Sequence, residues 1–285
     1  MARALAEICQ NDGIDAVFLN RQSLDLAESS SVIESQLSPF HDVDVIINSA
    51  AYTAVDNAED DIETAYAVNE RAVKVLADFC HSHSKPLVHI STDYVFNGQS
   101  QSLYCPDDTA DPLGVYGTSK YKGECAVIAS QCHYAILRTS WVYDASGKNF
   151  MTTMLRLAKD RDALSVVHDQ LGRPTYAPDL AQASLTAAVK LHQDPSHFQG
   201  TYHVSGTGSV ISWADFAREI FRLSANSLKK NIIVSNITTA EYPTKAERPA
   251  FSALNTERFE QLFKMQLPDW KVSLKTAIKQ WEKSQ

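Results

Sequence analysis

Apolar and polar positions alternate in blocks along the first half of the chain. Short runs dense in Val, Ile and Leu fall at residues 15–19, 43–48, 87–91 and 135–139, separated by helix-length segments at 29–38, 58–82 and 116–131. Such runs, bounded by polar turns, read as strands buried on both faces. Strands alternating with helices read as βαβ units, which build a parallel sheet with right-handed crossovers. Beyond Asn149 the rhythm changes. A helix over 149–160 leads to a strand at 164–167, a turn through Gly172, Pro174 and Pro178, and a helix over 178–191. A strand at 202–204, a helix capped by Ser212 and two terminal helices at 256–263 and 269–281 follow. The pattern predicts an α/β chain: a doubly wound parallel sheet over residues 1–160, and a smaller unit over 161–285 with some elements returning to the first sheet.

Composition narrows the function. A chain of 285 residues buries a substantial core. Its net charge of −8 and pI near 5.6, with Lys229-Lys230 as its one basic pair, argue against a nucleic-acid surface. Five cysteines, odd in number and without a C-x-x-C, suggest neither a disulfide framework nor a zinc site. No apolar run reaches the roughly 18 residues of a membrane span. The histidines are scattered singly without helical pair spacing, so no metal site is predicted. A cytoplasmic chain, with a homodimer compatible, is the expectation.

Candidate chemistry gathers in two segments. In Val115-Tyr-Gly-Thr-Ser-Lys120 a phenol and an ammonium stand four residues apart on one helical face. An ammonium roughly 4 Å from a phenol, at an effective dielectric near 20, is worth about 4 kcal/mol, enough to lower a tyrosine pKa of about 10 by nearly three units. Tyr116 so tuned would do acid-base work near neutral pH. Upstream, the run from Pro86 to Phe96 reads as a buried strand ending in the hydroxyls of Ser91 and Thr92, and catalytic groups in open α/β sheets gather at such carboxyl ends.

A strand-end hydroxyl followed by Tyr-x-x-x-Lys resembles the short-chain dehydrogenase/reductases, and the chain resembles in particular the dTDP-4-dehydrorhamnose reductase family. The matching segments are Asn48-Ser-Ala-Ala-Tyr-Thr-Ala-Val-Asp-Asn-Ala-Glu59, Ser91-Thr-Asp-Tyr-Val-Phe96, Val115 to Lys120, Leu137-Arg-Thr-Ser-Trp-Val-Tyr143, Asp169-Gln-Leu-Gly-Arg-Pro-Thr175, and Arg248-Pro with Leu254-Asn-Thr256. They run nearly end to end in family order.

The resemblance implies a Rossmann-type fold and NADPH-dependent reduction of a dTDP-linked 4-keto-6-deoxy sugar. It implies that Tyr116 donates the proton, Lys120 lowers the phenol's pKa and holds the nicotinamide ribose, and Thr92 polarises the carbonyl. Ala50, Ala51 and Tyr52 would line the cofactor, Asp25 and Leu26 would pass the adenine, and Val55 would face the substrate. Asn20 and Arg21 follow the strand where NAD-preferring proteins often carry an acid for the ribose diol; Arg21 instead offers a fork for a 2′-phosphate, which favours NADPH over NADH. Trp141 would pack on the sugar nucleotide, with Gln170, Gly172 and Thr175 beside it and Arg248 at the diphosphate. Asp56 and Glu59 read as N-terminal acids of a helix, without chemistry.

One family element is not found. Members open with an apolar strand and a glycine-rich turn that holds the pyrophosphate at a helix N-terminus. Here residues 1–9 read as the helix after that turn, and the first glycine is Gly13. Gly206-Thr-Gly208 lacks a third glycine, since position 211 is Ile, and reads as a plain turn. Two accounts stay open: a reductase whose native chain is longer, or a catalytically impaired binding protein like the regulatory subunits of methionine adenosyltransferase. The retained motifs favour the reductase. Without a central first strand, residues 15–19 and 87–91 are expected to flank a gap.

Overall fold

The computed structural model describes residues 1–284. The chain runs through α1 (Ala2–Asp12), α2 (Ser30–Leu37), β1 (Ile46–Asn48), α3 (Val55–Ala58), α4 (Ile62–Tyr66), a π-helical turn (Ala67–Arg71), α5 (Ala72–Ser82), β2 (Leu87–Thr92), α6 (Val115–Ala129), β3 (Tyr134–Thr139) and β4 (Val142–Tyr143). It continues through α7 (Phe150–Asp160), β5 (Ala163–Val167), β6 (Leu171–Gly172), β7 (Thr175–Tyr176), α8 (Ala177–Gln193), α9 (Pro195–Phe198) and β8 (Gly200–His203). Then come β9 (Ile211–Ser212), α10 (Trp213–Leu228), β10 (Ile233–Ile237), α11 (Glu257–Phe263) and α12 (Trp270–Lys283).

The main sheet is parallel throughout, in the order β1-β2-β3-β8. Its side-chain alternation sets the layers. Leu87 and Ile136 point into a core with Val73, Ala77, Cys80 and Val127 from α5 and α6, while Val88, Ala135 and Leu137 point the other way onto α8 and α11. Thus α8 and α11, late in sequence, close the second face of an early sheet. A separate core joins α7, α10 and α12 to β5, through Met151, Leu155, Leu164, Phe216, Ile220 and Trp270. Strand β10, which pairs in parallel with β5, and the two-residue strands β4, β6, β7 and β9 carry too little periodicity to be read from sequence. The capping box of Ser212 and Asp215 starts α10 where the sequence placed it.

Three expectations are corrected. Residues 15–19 form no strand, and Val17 and Phe18 are 62 % and 46 % exposed. An extended run becomes a strand only when a neighbour takes its backbone hydrogen bonds, and no described strand lies alongside it. Leu87–Thr92 does not border a gap, because β1 pairs along one side and β3 along the other. Strand order follows long-range pairing, which sequence order alone does not give. The predicted helix over 58–82 is also broken into α4, the π turn and α5. That turn brings the Asn69 carbonyl so close to α6 that a Cβ at Gly123 would overlap it. Among the described residues no helix is long and apolar enough to cross a membrane.

Candidate active site

The carboxyl end of β2 and the first turn of α6 meet, and they can do so because of a glycine. At Gly117 a Cβ would overlap the Tyr94 carbonyl, so the missing side chain lets the helix lie against the loop after β2. Glu59 Oε1 accepts from the Val115 amide at 2.8 Å, satisfying one of the unpaired donors at the start of α6. Glu59 was expected to serve its own helix; it caps another.

Three groups gather at the end of β2. The phenol of Tyr116 lies near enough to Thr92 for that hydroxyl to act on its ionisation, and Thr92 Oγ1 donates to Asp93 Oδ1 at 3.0 Å while accepting from the Tyr94 amide at 3.2 Å. Burial pushes Tyr116 up to about 12, which the neighbouring Thr92 hydroxyl partly offsets and the Asp93 charge reinforces. Burial likewise raises Asp93 to about 6, against hydrogen bonds that favour its ionised form. The ring of Tyr94 meets that of Tyr116 edge-on, with centroids 5.4 Å apart.

Lys120 is buried and turned onto the sheet. Its Nζ donates to the Ile90 carbonyl at 2.7 Å and lies 3.4 Å from His89 Nε2. Burial lowers it to about 8, with Glu124 opposing. The depressed tyrosine expected from the Tyr116–Lys120 pair is therefore absent: Lys120 is not among the charges that act on Tyr116, whose pKa rises instead of falling. Spacing fixes the shared helix face; the strand carbonyl decides where the ammonium goes.

Beneath this lies a buried tie that sequence reading missed. Arg138 on β3 grips Glu124 of α6 through Nη2 at 2.6 Å and Nε at 3.0 Å, and Ser91 Oγ donates to the same carboxylate at 2.5 Å. An arginine inside an apolar strand signals a buried acid somewhere, but not which one.

The predicted cofactor residues divide. Asn69 pins Tyr52 through both backbone groups, at 2.9 and 3.1 Å, and Ala50 N donates to Asn48 Oδ1, so Ala50, Ala51 and Tyr52 form a held turn after β1. Asn20 Oδ1 is used within its own turn by the amides of Gln22 and Ser23. The Nε of Arg21 is bound to Asp25 at 3.0 Å, with the arginine side chain 79 % exposed. Leu26, expected to pass the adenine, is buried among Ile33, Leu37, Val75, Leu76 and Phe79.

The predicted substrate residues divide too. Val55 opens α3 beside Asp56, and Asp56 takes Arg248 bidentately at 2.8 and 3.0 Å. Arg248, expected at a diphosphate, thus has its fork occupied by Asp56, whose carboxyl it holds below the usual range. Its charge still acts on Tyr94, so Arg248 belongs to the Tyr94–Tyr116 cluster. Trp141, at φ +48°, stacks on Trp213 at 3.6 Å and 10°, with its indole where a Cβ at Gly172 would come within 2.7 Å. Gln170 Nε2 donates to Thr239 Oγ1 at 3.1 Å. Thr175, expected beside the sugar nucleotide, is fully buried and accepts from the Gly206 amide at 3.3 Å.

A parallel α/β sheet with a hydroxyl at a strand end, crossed by a Tyr-x-x-x-Lys helix, is the architecture of an extended short-chain dehydrogenase/reductase. The chain belongs to the RmlD substrate binding domain family, whose model matches residues 1–283. It is 42% identical over 268 residues to a dTDP-4-dehydrorhamnose reductase of Sinorhizobium fredii, covering 93% of this chain and 89% of that one. It is 42% identical to that of Aggregatibacter actinomycetemcomitans, covering 96% and 94%. The solved dTDP-4-dehydrorhamnose reductase of Clostridium acetobutylicum superposes with a TM-score of 0.88 at 35% identity, covering 98% of this chain and 94% of that one. That of Bacillus anthracis, in complex with NADP, gives 0.87 at 34%, with the same coverage.

Proposed function

We propose that this protein reduces the 4-keto group of dTDP-4-dehydrorhamnose to give dTDP-L-rhamnose, with NADPH as the donor. The observation that carries the reading is the cluster of Tyr116, Thr92 and Asp93 at the end of β2, beside Lys120, in a chain similar to reductases over nearly its whole length. The relatives described are named as reductases, which favours this reading over a regulatory subunit.

NADPH, when bound, supplies the hydride. The residues present fit its nicotinamide half: the held turn of Ala50, Ala51 and Tyr52 stands next to α6, where the phenol of Tyr116 is half-buried rather than sealed. Tyr116 would give its proton to the new alkoxide, and a pKa near 12 keeps the phenol loaded at neutral pH. Thr92, committed to Asp93 as a donor, orients the phenol. Lys120 holds the ribose side of the site. The exposed Arg21 favours NADPH over NADH. Trp141, Gln170 and Gly172 wall the sugar-nucleotide side with Val55, and Arg248 acts through Asp56. Residues 1–160 form the cofactor unit and 161–285 mainly the substrate unit. The five free thiols suit a reducing cytoplasm, and a homodimer is the proposed assembly, which light scattering tests.

Oxidation of NADPH followed at its nicotinamide absorbance, with dTDP-4-dehydrorhamnose and product separation, tests the reaction. Substrate-dependent oxidation with dTDP-L-rhamnose formed is expected; oxidation only with another nucleotide sugar would overturn the assignment.

A further inference from the structure

A line of buried polar groups runs from the turn after β1 to Lys120. The amide of Ala50 donates to Asn48 Oδ1 at 3.1 Å; Asn48 Nδ2 faces His89 Nδ1 at 3.1 Å; and His89 Nε2 faces Lys120 Nζ at 3.4 Å. Asn48 and His89 are 5 % and 0 % exposed, so no bulk water completes their hydrogen bonds.

Donor and acceptor roles propagate along this line. The Ala50 N–H needs an acceptor, which fixes Oδ1 of Asn48 toward it and turns the NH₂ toward His89. Nδ1 of His89 must then accept, and a neutral imidazole that accepts at Nδ1 carries its proton on Nε2. That proton points at Lys120. A neutral amine satisfies the arrangement, donating one N–H to the Ile90 carbonyl at 2.7 Å and offering its lone pair to Nε2–H. An ammonium has no lone pair and sets an N–H against an N–H.

We propose, on the reading of Tyr116 and Lys120 as the reductase pair, that His89, oriented by Asn48, is a positioning residue that presents Nε2–H to Lys120 and shifts that side chain from ammonium toward amine. The surroundings agree. Glu124 on the same helix favours the ammonium, but its carboxylate is taken up by Arg138 of β3 and Ser91 of β2. Tyr116 is the other ionisable group of that helix face, with Asp93 beyond it. The π turn packed alongside contributes Asn69, an uncharged amide, to Ser119. Burial and the facing lysine hold His89 neutral, well below the ordinary histidine range. Lys120 then changes its ammonium-to-amine ratio around pH 8, and the electrostatics beside the nicotinamide ribose change with it.

The test has two readouts, neither of which needs turnover. In protein carrying ¹⁵N-histidine, long-range correlation spectra identify the tautomer of His89, with the His89→Phe spectrum giving the assignment. An Nε2–H tautomer with unprotonated Nδ1 is expected; an Nδ1–H tautomer overturns the proposal. In protein carrying ¹³C-lysine, the titration of Lys120, assigned with Lys120→Met, should move upward in His89→Phe by at least half a pH unit, about threefold in the amine-to-ammonium ratio. A downward move would show that the imidazole accepts from an ammonium, and no move would show that it does not act on Lys120. Both would overturn the proposal while leaving the reductase assignment, tested by product formation, untouched. Should His89→Phe fail to fold, assignment through Asn48→Ala keeps the tautomer readout.

Discussion

The phenol of Tyr116 has the Thr92 hydroxyl beside it, while the ammonium of Lys120 turns to the Ile90 carbonyl, although both residues lie on one face of α6. A phenol with a pKa near 12, eased by the neighbouring Thr92 hydroxyl, makes turnover depend on both hydroxyls. Tyr116→Phe is expected to lower kcat at least about 10²-fold while changing cofactor Kd less than a few-fold, and Thr92→Val to lower kcat about tenfold or more. Steady-state kinetics with calorimetric titration of NADPH checks both, and near wild-type turnover by Tyr116→Phe would refute the acid assignment.

Gly117 sets how close α6 can come to β2. Gly117→Ala drives a methyl into the Tyr94 carbonyl, and the helix must move away with Tyr116 and Lys120 on it. Although Ala is the better helix former by roughly 1 kcal/mol, overpacking of about 1–3 kcal/mol wins, so the variant should be less stable and lose at least about tenfold in kcat. Urea denaturation and kinetics report the two effects.

At Trp141 the backbone is left-handed and the ring is stacked, so two substitutions separate the two contributions. Trp141→Ala should cost about 2 kcal/mol through the lost stack and burial. Trp141→Gly loses the same stack but relieves the positive φ, and is expected to be the more stable of the two by about 0.5–1 kcal/mol. The order of their urea midpoints decides it.

Arg248 and Asp56 join α3 to the segment after β10 in a bidentate but partly exposed pair. A double-mutant cycle with Arg248→Ala and Asp56→Ala should return a coupling near 1 kcal/mol in the ligand-free protein. A coupling near zero, together with a large rise in KM for Arg248→Ala alone, would return the arginine to the diphosphate.

Two buried histidines make the fold acid-sensitive. His203 is lowered to about 3 by burial and by the Arg138 charge, and His89 well below 6.5 by burial and Lys120. Each binds a proton in the unfolded chain before it does in the fold, so their contribution is present above pH 6.5 and is lost as pH falls toward the folded values. Below 6.5 each removes up to about 1.4 kcal/mol per pH unit. Asp93, raised to about 6, works in the opposite direction between 3.8 and 6 and leaves one histidine's worth of net slope. Stability measured by urea unfolding should therefore fall from pH 7 to pH 5, and His203→Gln should flatten the decline.

Much of this protein was legible locally. Apolar runs located β1, β2, β3 and β8; the Ser212 capping box marked a helix start; and the motif from Val115 to Lys120 named the helix that carries the candidate chemistry. These signals survive in one dimension because burial on a strand or helix face repeats every two or 3.6 residues, and because a cap or a turn is decided within four residues. What the sequence could not decide was partnership. That residues 15–19 stay unpaired, that Glu59 caps α6, that Asp56 holds Arg248, that Glu124 answers Arg138, and that Lys120 turns to the Ile90 carbonyl are each settled by groups distant in the chain. A charge or a backbone donor specifies only that it needs a complement. Which complement it meets, and so whether a tyrosine's pKa falls or rises, is fixed when β2, β3 and α6 pack together and exclude water from between them.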